Sequence, residues 1–158
     1  MNKKRYGFIL VAFGLVFISS ALFAKANTTP IGYWKQYSDK TQQLESVIKV
    51  WQKGDVLYGK VAKAYSDGEG HPPQKYCTRC KGKFYNKKIV GMTILWGFQS
   101  KSATQWDNGK ILDPHSGKIY SCKLTLSDDG QQLKVRGYIG FSLLGRTQVW
   151  HRTMAVRI

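Results

Sequence analysis

The stretch YSCKLTLSDDGQQLKVRGY, residues 120–138, decides the fold. Tyr120, Cys122, Leu124 and Leu126 alternate with Ser121, Lys123 and Thr125. Successive side chains of a strand point to opposite faces, so the segment is a strand with one apolar and one wet face. Beyond Asp128-Asp129-Gly130, Leu133, Val135 and Gly137 alternate with Gln132, Lys134 and Arg136. The Asp-Asp-Gly turn tolerates the positive φ that a tight hairpin needs. The apolar face of this hairpin needs a partner, and a second layer or a closed barrel provides one.

The same pattern recurs outward in both directions. Short runs rich in Val, Ile, Thr, Tyr and Trp are cut by Gly, Asp, Asn and Ser clusters, and no segment carries a sustained helical stripe. Strands are predicted at 31–37, 46–52, 56–65, 90–99, 103–106, 119–126, 132–139 and 146–156. Lys53-Gly54-Asp55 and Asp107-Asn108-Gly109 are predicted tight turns, and a short helix is expected at 39–45. A longer excursion opens at Asp67 and runs to about Lys88. About eight such strands predict an all-β fold, an antiparallel up-and-down β-barrel, whose closure removes exposed edges.

Residues 1–26 stand apart. Met1-Asn2-Lys3-Lys4-Arg5 is basic, Phe8 to Phe23 is almost unbroken apolar sequence, and Ala24-Lys25-Ala26 has the small-x-small form of a cleavage site. The run is shorter than the roughly 20 residues of a membrane-spanning helix, and no cysteine follows it for lipid attachment. The expectation is a cleaved signal peptide, a single barrel domain over 27–158, a bacterial periplasmic or secreted location, and no integral membrane segment after cleavage. The +16 of the full chain, less Lys3, Lys4, Arg5 and Lys25, is +12. Such a charge attracts anionic envelope surfaces, so an envelope-associated structural or interaction protein is one reading. Lysines are spread along an exported chain rather than gathered in a stripe, which argues against nucleic acid as partner.

Cys77-Thr78-Arg79-Cys80 admits three readings: a local disulfide in an oxidising compartment, a redox pair, or a zinc site with His71 and Cys122. The following Lys81-Gly82-Lys83-Phe84 is a poor helix start for a redox motif, and zinc lacks a second close-spaced ligand pair. The disulfide leads. Cys122 then becomes a buried thiol, with a bond from Cys122 to Cys77 or Cys80 as the alternative. There is no Gly-x-Ser-x-Gly elbow, and Glu45 and Glu69 sit in no motif. Asp107 and Asp113 are a weak acid–base pair. His71, His115 and His151 fall in a loop, a turn and the last strand. Gly109-Lys110 and Gly117-Lys118 fail phosphate-loop spacing. No catalytic residue, metal or cofactor is expected.

Trp106, Gly109, Lys110, Ile111, Asp113 and Pro114, then Gly117, Lys118, Tyr120 and Cys122, form one shared stretch. Arg136, Gly137, Tyr138 and Gly140, then Leu143-Leu144-Gly145-Arg146-Thr147-Gln148 and Trp150, form a second. With Gly32-x-Trp34 and Gly91-Met92-x-Ile94-Leu95 upstream, the chain resembles the bacterial exported domain-of-unknown-function family 2147. The resemblance implies a lipocalin-like barrel and no established activity. The Cys77-x-x-Cys80 loop departs from the many relatives that pair cysteines around the third strand. Gly32-x-Trp34 is also similar to the lipocalin opening, where a tryptophan packs across the closed end beneath an arginine of the last strand. Arg146 and Arg152 are the candidates for that arginine, and such a stack contributes about 0.5–2 kcal/mol.

The remaining question is the apolar loop Phe141-Ser142-Leu143-Leu144 between Arg136 and Arg146. One reading makes it a plug or lid at one barrel end, with the arginines on aromatic rings or loop carbonyls. The other makes it the mouth of a binding site. A barrel interior lined with Trp, Tyr and Phe can hold one small ligand, and arginine offers a fork to carboxylate or phosphate. The function expected is therefore non-enzymatic binding of a small apolar or amphipathic molecule. Its candidate contacts are Trp34, Trp96, Arg136, Tyr138, Phe141, Leu143, Leu144, Arg146 and Trp150.

Overall fold

The structure, a computed structural model, describes residues 29–66 and 72–155. The signal-peptide expectation, His71 and the end of the last predicted strand at 156 lie outside the described residues. Eight strands follow in order: β1 (Gly32–Tyr37), β2 (Leu44–Lys53), β3 (Val56–Ala64), β4 (Thr93–Ser102), β5 (Gln105–Asp113), β6 (Lys118–Leu126), β7 (Gln132–Tyr138) and β8 (Gly145–Thr153). Each pairs antiparallel with the next, and β8 returns to β1, closing the barrel. In the β6–β7 hairpin Leu124 faces Val135 and Leu126 faces Leu133, the register the alternation predicts. Among the described residues no helix is long and apolar enough to cross a membrane.

Two local expectations are corrected. Asp107-Asn108-Gly109 is not a hairpin turn; it lies inside β5, where the register slips between Trp106 and Gly109 and Asn108 has φ 60°. A residue that tolerates positive φ serves a bulge as well as a turn. Gly109 is required there because a Cβ would sit 2.2 Å from the Phe98 ring. The β4–β5 turn falls earlier, at residues 103–104. Residues 39–45 form no helix. Ser38 N–H donates to the Gln43 carbonyl (2.8 Å), Gln42 N–H donates to the Ser38 carbonyl (2.9 Å), and Gln42 turns the chain at φ 58°.

The barrel has two unlike ends. The base holds the chain entry and the β2–β3, β4–β5 and β6–β7 turns. Trp34 is fully buried there, and its indole Nε1 donates to the Pro30 carbonyl at 2.8 Å. The Arg152 guanidinium carbon lies 4.3 Å from the Trp34 ring centroid. Its Nε donates to the Gly130 carbonyl (2.6 Å), and its terminal nitrogens donate to Ile31 (2.9 Å) and Thr29 (2.6 Å). Arg152, not Arg146, is thus the arginine of the closed end. Gly32 leaves it room: at φ 133°, a Cβ there would be 3.0 Å from a guanidinium nitrogen.

From the base upward the interior is packed. Trp34, Phe98, Trp150, Ile48, Leu57, Leu95, Leu124 and Leu133 are each at most 2% exposed. A void large enough for a ligand would leave accessible surface on its lining, and these side chains have almost none. Of the aromatic residues read from the sequence as lining a cavity, Trp34 and Trp150 are packed core.

Candidate functional site

The other end, the rim, carries the β1–β2, β3–β4, β5–β6 and β7–β8 connections. The β3–β4 excursion folds back onto the wall. Cys77 and Cys80 form a disulfide, both are buried, and the single 3₁₀ turn among the described residues, Gly82–Phe84, follows them. Phe84 stacks on Trp96 with centroids 5.6 Å apart. Trp96 is paired with Lys110, whose side chain is exposed. Strand neighbours share a face, so Trp96 lies on the outer wall under the excursion, not inside the barrel. The β5–β6 turn presses on the same excursion. Gly117 has φ 71°, and a Cβ there would sit 2.0 Å from the Arg79 carbonyl oxygen. The Arg79 guanidinium in turn donates to the His115 carbonyl at 3.3 Å. Cys122 is a free, buried thiol within the barrel, and burial pushes its pKa up to about 12.

Along this rim runs a trough of ≈ 340 Å³. Ile119, Tyr120, Phe84 and Ile139 supply its apolar surface above the buried Leu112, and Lys81 and Lys118 also line it. Neither lysine has a carboxylate at ion-pair distance among the described residues. A second cleft of ≈ 310 Å³ lies between Ala64, Pro73, Tyr76 and Val90 and is bordered by Lys75 and Lys88.

The β7–β8 loop stands beside the trough and reaches into solvent. Phe141 is 82% exposed, Leu143 89%, Leu144 74% and Ile139 66%. The loop is therefore no plug, contrary to that expectation. Its backbone is nonetheless held. Arg136 donates through Nε and a terminal nitrogen to the Ser142 carbonyl (2.8 and 2.6 Å). The same terminal nitrogen reaches the Leu143 carbonyl (3.1 Å), and the other reaches Thr147 Oγ1 (2.9 Å). Gly140 turns at φ 66°, and Leu144 N–H donates to the Phe141 carbonyl at 3.1 Å. Arg146 pairs with Asp39 of the β1–β2 loop, and Gln148 donates to the same carboxylate at 3.3 Å.

The nine candidate contacts thus fall in three places. Trp34 and Trp150 belong to the packed interior, Trp150 donating to Gln148 Oε1 at 3.3 Å. Trp96 and Tyr138 are half-buried, Trp96 under the excursion and Tyr138 beneath the Lys123 ammonium, 5.7 Å from its ring centroid. Arg136, Phe141, Leu143, Leu144 and Arg146 meet at the rim. Of the trough residues, Leu112, Ile119 and Ile139 were not singled out as contacts, Ile119 and Ile139 being legible only as strand ends, while Tyr120 was read on the apolar face of its strand. Among the acids, Asp107 pairs with Lys101 (3.5 Å), while Asp113 accepts from His115 N–H and Ser116 Oγ. Each serves its own local structure. His151 packs edge-on against Tyr37 at 5.8 Å.

A closed eight-stranded barrel with a tryptophan and an arginine across one end defines a lipocalin-like class. The family of uncharacterised proteins conserved in bacteria designated DUF2147 matches residues 32–152, and the chain belongs to it. A solved structure, protein HP1028 from the human pathogen Helicobacter pylori, described as belonging to the lipocalin family, superposes with a TM-score of 0.65. It is 18% identical, with 78% of this chain and 82% of that chain covered, so the likeness concerns the fold. No curated protein matches the chain.

Proposed function

We propose that this chain is an exported, non-enzymatic bacterial protein that binds a small amphipathic molecule in the rim trough. The observation that carries the reading is the trough's division of labour. Ile119, Tyr120, Phe84 and Ile139 give an apolar surface of small-molecule size, and Lys81 and Lys118 line it with them. Binding sites of about 300–1,000 Å³ commonly combine an apolar lining with a few placed polar groups. A ligand with an aliphatic or aromatic body and a carboxylate, sulfonate or phosphate head fits that arrangement, the head facing the ammonium groups. The lipocalin-like fold adds support at the level of class, with the site at the rim.

The test is a titration of the chain from Asn27 with a fluorescent fatty acid, alongside native mass spectrometry of gently purified protein. Saturable binding is expected. Ile119→Asp should weaken it at least tenfold and Lys118→Gln severalfold. No adduct and no saturable binding, or binding indifferent to both substitutions, would overturn the reading.

A further inference from the structure

We propose that the rim is a docking face for an anionic phospholipid bilayer, with Phe141, Leu143 and Leu144 entering the headgroup region. Three observations converge. The loop holds these side chains in water on an ordered backbone: Arg136 braces it through the Ser142 and Leu143 carbonyls, so their exposure is built and not a frayed end. The loop projects outward as an apolar ridge, the shape that wedges between headgroups. Exposed lysines stand in the rim connections: Lys40 in β1–β2, Lys118 at the β5–β6 turn, and Lys81, Lys83, Lys87 and Lys88 in the β3–β4 excursion. The acids of the described rim loops are already engaged, Asp39 by Arg146 and Gln148, and Asp113 by its own turn.

The base is more nearly balanced in charge, even with Asp67 and Glu69 of the β3–β4 connection counted at the rim. Its turns mix Lys53 with Asp55, Lys101 with its ion partner Asp107, and carry Asp128 and Asp129. Lysines near a membrane surface are drawn to anionic lipid, and apolar side chains then anchor what charge has gathered. A second copy of this chain would bring an equally basic rim against the first, which like-charge repulsion opposes. The inference is independent of the trough reading, since the loop substitutions below leave Ile119, Tyr120 and Lys118 in place.

The barrel closes within residues 32–153, so the chain from Asn27, free of the apolar run at 8–23, is the material to test. Co-sedimentation should show binding to vesicles of phosphatidylglycerol and phosphatidylcholine, and little to phosphatidylcholine alone. Phe141→Ser/Leu143→Ser/Leu144→Ser should lower that binding at least tenfold with an unchanged thermal midpoint. A Leu143→Cys variant places its thiol at the surface, and dye goes to it because Cys77 and Cys80 are bonded and Cys122 is buried. An environment-sensitive dye on it should shift to the blue with anionic vesicles, whereas one on Lys53→Cys at the base should not. Vesicle binding that survives the triple substitution would reduce the effect to surface charge and overturn the proposal. So would a dimer in solution that the triple substitution abolishes, or an unshifted dye.

Discussion

Two arginines do the same chemistry at opposite ends of this barrel, to different effect. Arg152 at the base and Arg136 at the rim each thread a guanidinium onto main-chain carbonyls, Arg152 on Thr29, Ile31 and Gly130, Arg136 on Ser142 and Leu143. At the base the braced segments close over Trp34, which is fully buried, so the hydrogen bonds and the apolar packing work together. At the rim the braced segment holds three large apolar side chains in water. Burying each would be favourable by about 1.5–3 kcal/mol, and the fold forgoes that. The base is organised for stability, whereas the rim maintains an apolar surface that the fold itself does not use.

Substitutions sharpen this contrast. The largest expected loss is from Arg152→Ala, which removes three charge-assisted hydrogen bonds and the contact with Trp34. It should destabilise by about 3 kcal/mol in urea unfolding. Arg152→Lys should recover only a part of this, because an ammonium lacks the fork. An effect below 1 kcal/mol would remove the base from the account. Next comes Gly117→Ala, which meets both a positive φ and the Arg79 carbonyl oxygen. It should cost about 2–3 kcal/mol. At the base, Gly54→Ala has a similar φ of 58° but no atom within 4 Å, so it should cost about 1–2 kcal/mol. Equal losses would contradict the close seat of the β5–β6 turn on the disulfide loop.

Between the ends, Cys122 makes stability depend on alkaline pH. Its thiol is raised in the folded state from 9.0 to about 12. The neutral thiol's contribution is therefore complete below pH 9.0 and is lost as pH rises toward about 12, by about 1.4 kcal/mol per unit. The stability difference from Cys122→Ala should be constant below pH 9.0 and change only in that window. Arg136→Ala should cost least of the single changes, about 1 kcal/mol or less, since the loop it braces buries no large apolar side chain. It should, however, expose Phe141 to Leu144 to chymotrypsin, and unchanged cleavage would mean that the brace does not order the loop.

The barrel was legible because its strands obey a period of two. Cys122, Leu124, Leu126, Leu133 and Val135 all carry the alternation, and all are buried. Asn108 misled because a bulge and a hairpin turn demand the same positive φ, and composition does not distinguish them. The rim was less legible. Trp96 sits in an apolar run and reads as core, yet it lies outside, because the excursion supplies a second apolar layer through Phe84 that no periodicity in β4 announces. The loop's exposure was hidden too. Phe141, Leu143 and Leu144 look like a plug in the sequence, and only the structure shows them turned to solvent.

The most direct measurement is a matched pair of urea unfolding curves for Arg152→Ala and for Phe141→Ser/Leu143→Ser/Leu144→Ser. Division of labour between the ends predicts a loss of about 3 kcal/mol for the first and a change within about 0.5 kcal/mol for the second, as expected of surface substitutions. A triple variant that loses as much as Arg152→Ala would show that the rim loop serves the fold after all.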